Sequence, residues 1–281
     1  MSYYRKDGET TMRILKDPKQ YVALEKENLI NRIQKLRWTP KLAIVQVGEN
    51  EASNRYIRNK VKDCEEVGIA ADVYGYPENT TEFELDDELT HLQEYYDGVI
   101  VQLPLPQHIR PSIATAALQP EKDVDGFRHD SCYNPATPQG IINYLKWCGF
   151  EFEGRHAVVI GRSEIVGKPM ARMLLEENMT VTVCHSRTAQ DDMGILLTTA
   201  DLVVCAVGKP EFLDCYRTTA PVIDVGINFN ENGKLVGDCY NTEGRDVTPV
   251  PGGVGLLTRV ALLENVVMAA ETKEERENAT K

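Results

Sequence analysis

Apolar positions along the chain fall into two alternating spacings, short continuous runs and helical periodicities. Residues 18–37 (PKQYVALEKENLINRIQKLR) place apolar groups at helical spacing, and residues 41–48 (KLAIVQVG) form an apolar run with the length of a buried strand. The pattern continues with a helix over 52–67, a strand over 71–76 (ADVYGY), a helix over about 82–95, and a strand in DGVIVQLPLP that its prolines end. Strands separated by crossover helices pair in parallel with both faces covered. Between 120 and 138 the periodicity is lost, and PEKDVDGFRHDSCYNPATP is polar and rich in turn formers. A helix (QGIINYLKWCG) leads to a new unit at Arg155, where strand HAVVIG, loop RSEIVGKP, helix MARMLLEEN and strand TVTVCHS make one βαβ module. Two more apolar strands, DLVVCAVG and APVIDVGIN, precede a Gly-rich turn (PVPGGVG) and a last amphipathic helix, LLTRVALLENVVMAAE. The charged final dozen residues are expected to fray. The predicted fold class is α/β in two domains with a cleft between them. An N-terminal α/β domain over residues 1–135 is completed by the C-terminal helix, about 254–271, and a second α/β domain covers 136–253.

The chain's 281 residues are ample for two such domains without disulfide or metal staples. Lys and Arg number 31 against 43 Asp and Glu, a formal net charge of −12. That field repels phosphate backbones and anionic lipid, which argues against nucleic acid and membrane surfaces as partners. No apolar run approaches the roughly 18 residues of a membrane span. The opening residues MSYYRKDGETTMRILKD lack the apolar core of a secretory signal. Seven scattered cysteines without a C-x-x-C pair read as reduced thiols, so a cytoplasmic setting is expected. The five histidines show no H-x3-H pairing, so no metal is expected.

The segment Gly161–Gly167 follows the first strand of the βαβ module, where a Rossmann phosphate loop belongs. Glycine lets the backbone turn tightly there, and the next helix N-terminus offers N–H groups to a pyrophosphate. Arg162 and Ser163 add a charge and a hydroxyl. The pattern is G-x-S-x-x-x-G and not G-x-G-x-x-G, and a plain strand-to-helix turn fits it equally. The end of the next strand says more. A cofactor with a free 2′-hydroxyl usually meets an acid at that point, but Cys184-His185-Ser186-Arg187-Thr188 has none and brings Arg187 close. The second domain is therefore predicted to be a Rossmann-type NADP-binding domain, with NAD less favoured.

Tyr56 and Lys60 stand four apart on a predicted helix and project from one face. A phenol can stack on a flat substrate while the neighbouring amine handles a proton, although a surface helix carries the same pair. Gln102, between Val101 and Leu103, ends an apolar strand at the edge where open α/β sheets bind ligands. Its amide needs a partner, for which Lys60 and a backbone group are the alternatives. Asp123 and Asp125 in K-D-V-D-G fit either turn formation or acceptance of two parallel N–H bonds from an amidine-like edge. In P-V-P-G-G-V-G, stiff prolines and bare glycines suit close approach of a flat ligand to backbone, or simply a tight turn.

In this order, VGENEASNRYIRNK, GVIVQLPLP, PEKDVDGF, VVIGRSEIVGKPMARMLL, VTVCHSRT, ADLVVCAVGKP, VIDVGIN, VGD and TPVPGGVG resemble the methylenetetrahydrofolate dehydrogenase/methenyltetrahydrofolate cyclohydrolase family. These runs span about residues 41 to 265. The resemblance implies NADP-linked oxidation of methylenetetrahydrofolate followed by hydrolysis to formyltetrahydrofolate, in a homodimer whose last helix returns to the first domain. It implies Lys60 as catalytic lysine, Tyr56 stacking on the folate, Gln102 holding Lys60 and Asp125 binding the pterin edge. Val101, Leu103, Pro251, Gly252 and Gly253 would line the folate site, and Gly161, Arg162, Ser163, Ser186 and Ile227 would hold NADP. The chain departs from the family in two places. The segment after K-D-V-D-G-F is the short RHDSCYNPATP, with Ala136 where a cysteine is frequent, and Leu256-Leu257-Thr258 stands where Pro-Met-Thr is usual. A short-chain dehydrogenase also uses Y-x3-K, but there the pair follows the nucleotide fold, whereas here it precedes Gly161. A folate- or nucleotide-binding protein without turnover is the rival of another class.

Overall fold

The structure is a computed structural model that describes residues 13–279. The opening residues 1–12 and the last two, 280 and 281, lie outside it, and with them most of the segment read for a secretory signal.

The first unit runs α1 (Pro18–Ile33), β1 (Lys41–Val47), α2 (Glu51–Val67), β2 (Ala70–Tyr76), α3 (Glu82–Leu92), β3 (Gly98–Val101) and α4 (Pro111–Ala116). Its sheet is wholly parallel in the order β2-β1-β3, with Val45 opposite both Tyr74 and Val101. The central strand is apolar because helices cover both its faces, and Leu42, Ala43, Ile44 and Val45 are fully buried. Local chemistry sets the helix ends. Asn50 accepts the Ser53 N–H at 3.1 Å to cap α2, and Gly68 closes that helix at φ +92°. Thr81 and Glu84 form a reciprocal capping box at the start of α3. The short α4 has too few turns to show a period, and only Pro111 at its start marks it.

The second unit runs α5 (Ala136–Cys148), β4 (His156–Ile160), α6 (Gly167–Glu176), β5 (Thr180–Cys184), α7 (Gln190–Thr199), β6 (Leu202–Cys205), β7 (Leu213–Asp214), β8 (Val222–Asp224), β9 (Asn228–Phe229), β10 (Leu235–Val236) and β11 (Cys239–Tyr240). Four strands form a parallel sheet in the order β5-β4-β6-β8, and the two-residue strands pair as β9 with β10 and β7 with β11. In each main sheet the chain moves one way from its first strand and then crosses to the other side. This leaves a switch point between β1 and β3 and another between β4 and β6, where diverging loops open a crevice for ligands.

The last helix, α8 (Val254–Ala279), returns across the molecule and packs on α5 and α1. Gly140 of α5 makes the contact possible, since a Cβ there would sit 2.4 Å from the carbonyl oxygen of Leu257. The expected fraying of the C-terminal end is corrected as far as Ala279. Its charged residues face partners on the first unit, Lys273 to Asp97 at 3.3 Å, Glu274 to Arg37 at 3.3 Å and Arg276 to Glu121 at 3.8 Å. Lys and Glu also carry good intrinsic helix propensity, so the helix continues.

Candidate functional site

Asn50 and the β1 switch point launch α2 so that Tyr56, Lys60 and Asp63 share its inward face. Lys60 is buried, 8% exposed, and its Nζ lies 3.9 Å from Oδ2 of Asp125, which is equally buried. Tyr56 is half-buried and burial raises its phenol pKa, against the opposing pull of the Arg259 charge. The start of α8 closes the cluster, because a Cβ on Gly255 would come 3.7 Å from the Tyr56 hydroxyl. Sequence reading passed over the support behind this face. Asp63 receives Lys26 at 2.5 Å and Arg259 at 2.8 Å, which ties α2 to α1 and α8. The signal was the position of Asp63, seven residues from Tyr56 and on the same stripe.

Asp125 is placed by its loop. Asp123 accepts the Arg128 N–H at 2.8 Å, and the Ser131 hydroxyl donates to the Asp123 carbonyl at 2.9 Å. That settles Asp123 as the turn former. Asn265 of α8, 3% exposed, donates to the carbonyls of Val124 at 2.8 Å and Asn134 at 3.2 Å, spanning both ends of the short loop. The Arg128 side chain bonds Asp130 and the Leu118 carbonyl at 2.8 and 2.9 Å.

The expected Gln102–Lys60 contact is not formed. Gln102 turns its Nε2 back to donate to the Leu103 carbonyl at 2.7 Å, a reach set by the adjacent residue, and Lys60 pairs with Asp125 instead. The Gln102 Oε1 is buried and has no hydrogen-bond partner, so it stands as an acceptor at the strand end. Val101 is buried, Leu103 half-buried and Pro251 exposed. Gly252 takes φ +102°, and Gly253 sits where a Cβ would lie 2.4 Å from the Pro249 carbonyl, so this turn admits no side chain. A groove of about 620 Å³ lies elsewhere, between the 126–135 loop, α5, α6 and α8. Within it Lys168 pairs with Glu164 and Arg172 with Glu176 at 3.7 Å.

At the second switch point, Gly161 at φ +122° brings its Cα against the Ala206 carbonyl, which a Cβ would meet at 2.1 Å. Gly167 packs back on Gly161 as closely, with 2.5 Å from its would-be Cβ to the Gly161 carbonyl. The Ser163 hydroxyl accepts the N–H groups of Val166 and Gly167 at 3.2 Å each and so shapes the loop from within. Arg162, Ser186 and Arg187 are exposed at the mouth, and Ile227 is 50% exposed on its far side. The Cys184–Thr188 turn is closed by His185 N–H to Thr188 at 2.9 Å and Arg187 N–H to His185 at 3.1 Å, and no carboxylate stands in it. A bare-backbone cradle at a helix start with two guanidinium groups at its mouth fits a dinucleotide carrying an extra phosphate.

Two parallel sheets, one with a buried lysine–carboxylate pair at its switch point and the other with a dinucleotide cradle, define a two-domain nucleotide-binding α/β protein. Residues 16–125 match the family profile described as tetrahydrofolate dehydrogenase/cyclohydrolase, catalytic domain, and residues 135–274 match its NAD(P)-binding domain. The chain belongs to the tetrahydrofolate dehydrogenase/cyclohydrolase family. It is 42% identical over 259 residues to the bifunctional protein FolD of Lysinibacillus sphaericus, covering 86% of this chain and 90% of that one. It is 46% identical over 250 residues to the FolD protein of Polaromonas naphthalenivorans, covering 83% and 88%. Among solved structures, the bifunctional FolD enzyme of Campylobacter jejuni superposes with a TM-score of 0.87 at 39% identity, over 92% of this chain and 98% of that one. The Trypanosoma brucei enzyme, complexed with NADP cofactor and an inhibitor, superposes with a TM-score of 0.85 at 30% identity, over 92% and 97%.

Proposed function

We propose that the protein oxidises 5,10-methylenetetrahydrofolate to 5,10-methenyltetrahydrofolate with NADP and hydrolyses that product to 10-formyltetrahydrofolate. The observation that carries this reading is the buried Lys60–Asp125 pair beside Tyr56 at the first switch point, in a chain of this family. The folate half extends to residue 135 and is completed by α8, and the dinucleotide half covers 136–253.

NADP, when bound, accepts the hydride that leaves the methylene carbon. The folate nitrogens share the resulting positive charge, so the protein's part in that step is alignment. Tyr56 offers a ring face to the pterin, and Asp125 accepts from its amidine-like edge in two parallel bonds. A folate on Asp125 competes with Lys60 for that carboxylate and turns the amine toward water. Water then attacks the methenyl carbon and loses one proton, and its second proton passes to N5 as the N5–carbon bond breaks, leaving the formyl group on N10. Lys60, turned from Asp125, is placed to orient that water and to assist its deprotonation. The unpartnered Gln102 Oε1 is placed to accept from that amine or from the folate.

The seven cysteines are free thiols, which supports a cytoplasmic setting. Among the described residues, no helix is long and apolar enough to cross a membrane. The homodimer rests on the family likeness, and sedimentation equilibrium tests it. The function itself is tested by following methenyltetrahydrofolate absorbance with purified protein, with NADP and NAD side by side. Turnover with a clear preference for NADP is expected from the missing acid after β5 and from Arg162 and Arg187. No turnover with either nucleotide contradicts the reading, and equal efficiency contradicts the cofactor assignment.

A further inference from the structure

Asp238 is completely buried, lies outside the Tyr56–Lys60–Asp125 cluster, and has no part in the chemistry above. Its carboxylate accepts from three successive backbone N–H groups, Val207 at 2.6 Å, Gly208 at 2.9 Å and Lys209 at 2.9 Å, and from the Asn228 amide at 2.8 Å. The Cys205 thiol also lies 4.0 Å from its Oδ2, so the carboxylate is saturated and has nothing left for a metal or a substrate. What it does instead is tie two loops together. One is the loop that leaves β6 at the switch point, the same loop whose Ala206 carbonyl packs on Gly161. The other follows β8 and presents Ile227 beside Asn228. In a doubly wound sheet the strands beyond the switch point form the second mononucleotide half, opposite the half that carries the phosphate loop and the adenosine end.

The carboxylate is itself held rigidly. Asp238 N–H donates to Asp224 Oδ1 at 2.9 Å and Cys239 N–H to Asp224 Oδ2 at 3.0 Å, while the Asp238 carbonyl accepts from Phe212 at 2.7 Å and Leu213 at 3.0 Å. Two glycines admit this interlock. A Cβ on Gly226 would lie 2.3 Å from Asp238 Oδ1, and one on Gly237 would lie 1.9 Å from Asp224 Oδ2. Held from both sides, the carboxylate fixes the two loops relative to each other.

We propose that Asp238 is a positioning residue for hydride transfer, holding backbone 207–209 and Asn228 as the wall against which the nicotinamide end of the cofactor is aligned. This rests on the dinucleotide reading above. Hydrolysis of the methenyl product needs no nicotinamide, so the two activities of one protein separate a positioning role from a structural one.

The test is Asp238→Asn, assayed for NADP-dependent dehydrogenation and for hydrolysis of supplied methenyltetrahydrofolate. Either orientation of the new amide sets an NH2 group against a backbone N–H, and an unsatisfied pair of that kind corresponds to a loss of about tenfold to a hundredfold. Dehydrogenase kcat/KM is expected to fall by that factor, with hydrolysis within about threefold of the parent once normalised for folded protein. The deuterium isotope effect with a deuterated methylene group is expected to rise, because misalignment slows the hydride step itself. Asn228→Ala removes one donor without burying a new one, and is expected to shift the ratio of activities in the same direction by a few-fold if Asp238→Asn does not fold. Equal losses of both activities, or no change in either, overturn the role of Asp238 and leave the cofactor assignment standing. A parent protein without NADP-dependent turnover overturns the dinucleotide reading and the proposal with it.

Discussion

Lys60 and Asp125 are separated by most of the first unit in sequence and by 3.9 Å in space. The pairing of Tyr56 with Lys60 was legible because four residues on a helix share a face. The pairing of Lys60 with Asp125 was not, since it depends on where β3 and the following loop leave the sheet. Gln102 shows the limit from the other side. Its place at a strand end was readable, but a glutamine that reaches its neighbour's carbonyl satisfies half of its amide locally, and no pattern reveals that choice. Asp125→Asn replaces one acceptor with a donor facing the donor edge of the pterin. Folate affinity, measured by calorimetry, is expected to weaken by about 2 kcal/mol or more. Unchanged affinity would return Asp125 to a turn-forming role like that of Asp123.

At the scale of elements, strand runs and long amphipathic helices were read correctly, and the errors sit at ends and in short pieces. α5 begins at Ala136 and α6 at Gly167, each earlier than its apolar pattern, because first turns present backbone N–H groups and not a stripe. The strands β7, β9, β10 and β11 have two residues each, too short to show alternation. The continuation of α8 was hidden because its charges looked solvated until the surface of the first unit supplied Asp97, Arg37 and Glu121. α5 meets α8 backbone to backbone at Gly140. Gly140→Ala favours the isolated helix, yet its methyl group would overlap the Leu257 carbonyl. Denaturant unfolding is expected to show a net loss of about 1–3 kcal/mol. A stability gain would mean that the two backbones are not in contact.

Across the whole molecule, two parallel sheets carry the two switch points, and α8 binds the halves through Asn265, Arg259 and Glu264. Glu264 bridges Asn143 at 3.1 Å and Arg32 at 3.8 Å, yet burial is the largest influence on it and raises its pKa above the ordinary 4.5. A carboxyl raised on folding favours the folded state fully below its unfolded value, and that contribution is lost as pH rises through the folded value. Glu264→Gln removes the titration, so its stability relative to the parent is expected to improve between pH 4 and pH 8 in parallel unfolding curves, as burial of the ionised form is relieved. A relative stability that stays level or worsens over that range would show that Arg32 outweighs burial.

The proposed function depends above all on the buried amine of Lys60 serving the hydrolytic step. Lys60→Met keeps the length and apolar bulk of the side chain and deletes the amine. The most direct measurement is the enzyme-dependent hydrolysis of supplied methenyltetrahydrofolate by this variant, with the spontaneous rate subtracted. General base assistance contributes about 10²–10⁴-fold, so hydrolysis is expected to collapse by a factor in that range while NADP-dependent dehydrogenation falls less. Near-parental hydrolysis by Lys60→Met would remove the lysine from the mechanism and reduce the Tyr56–Lys60 face to packing.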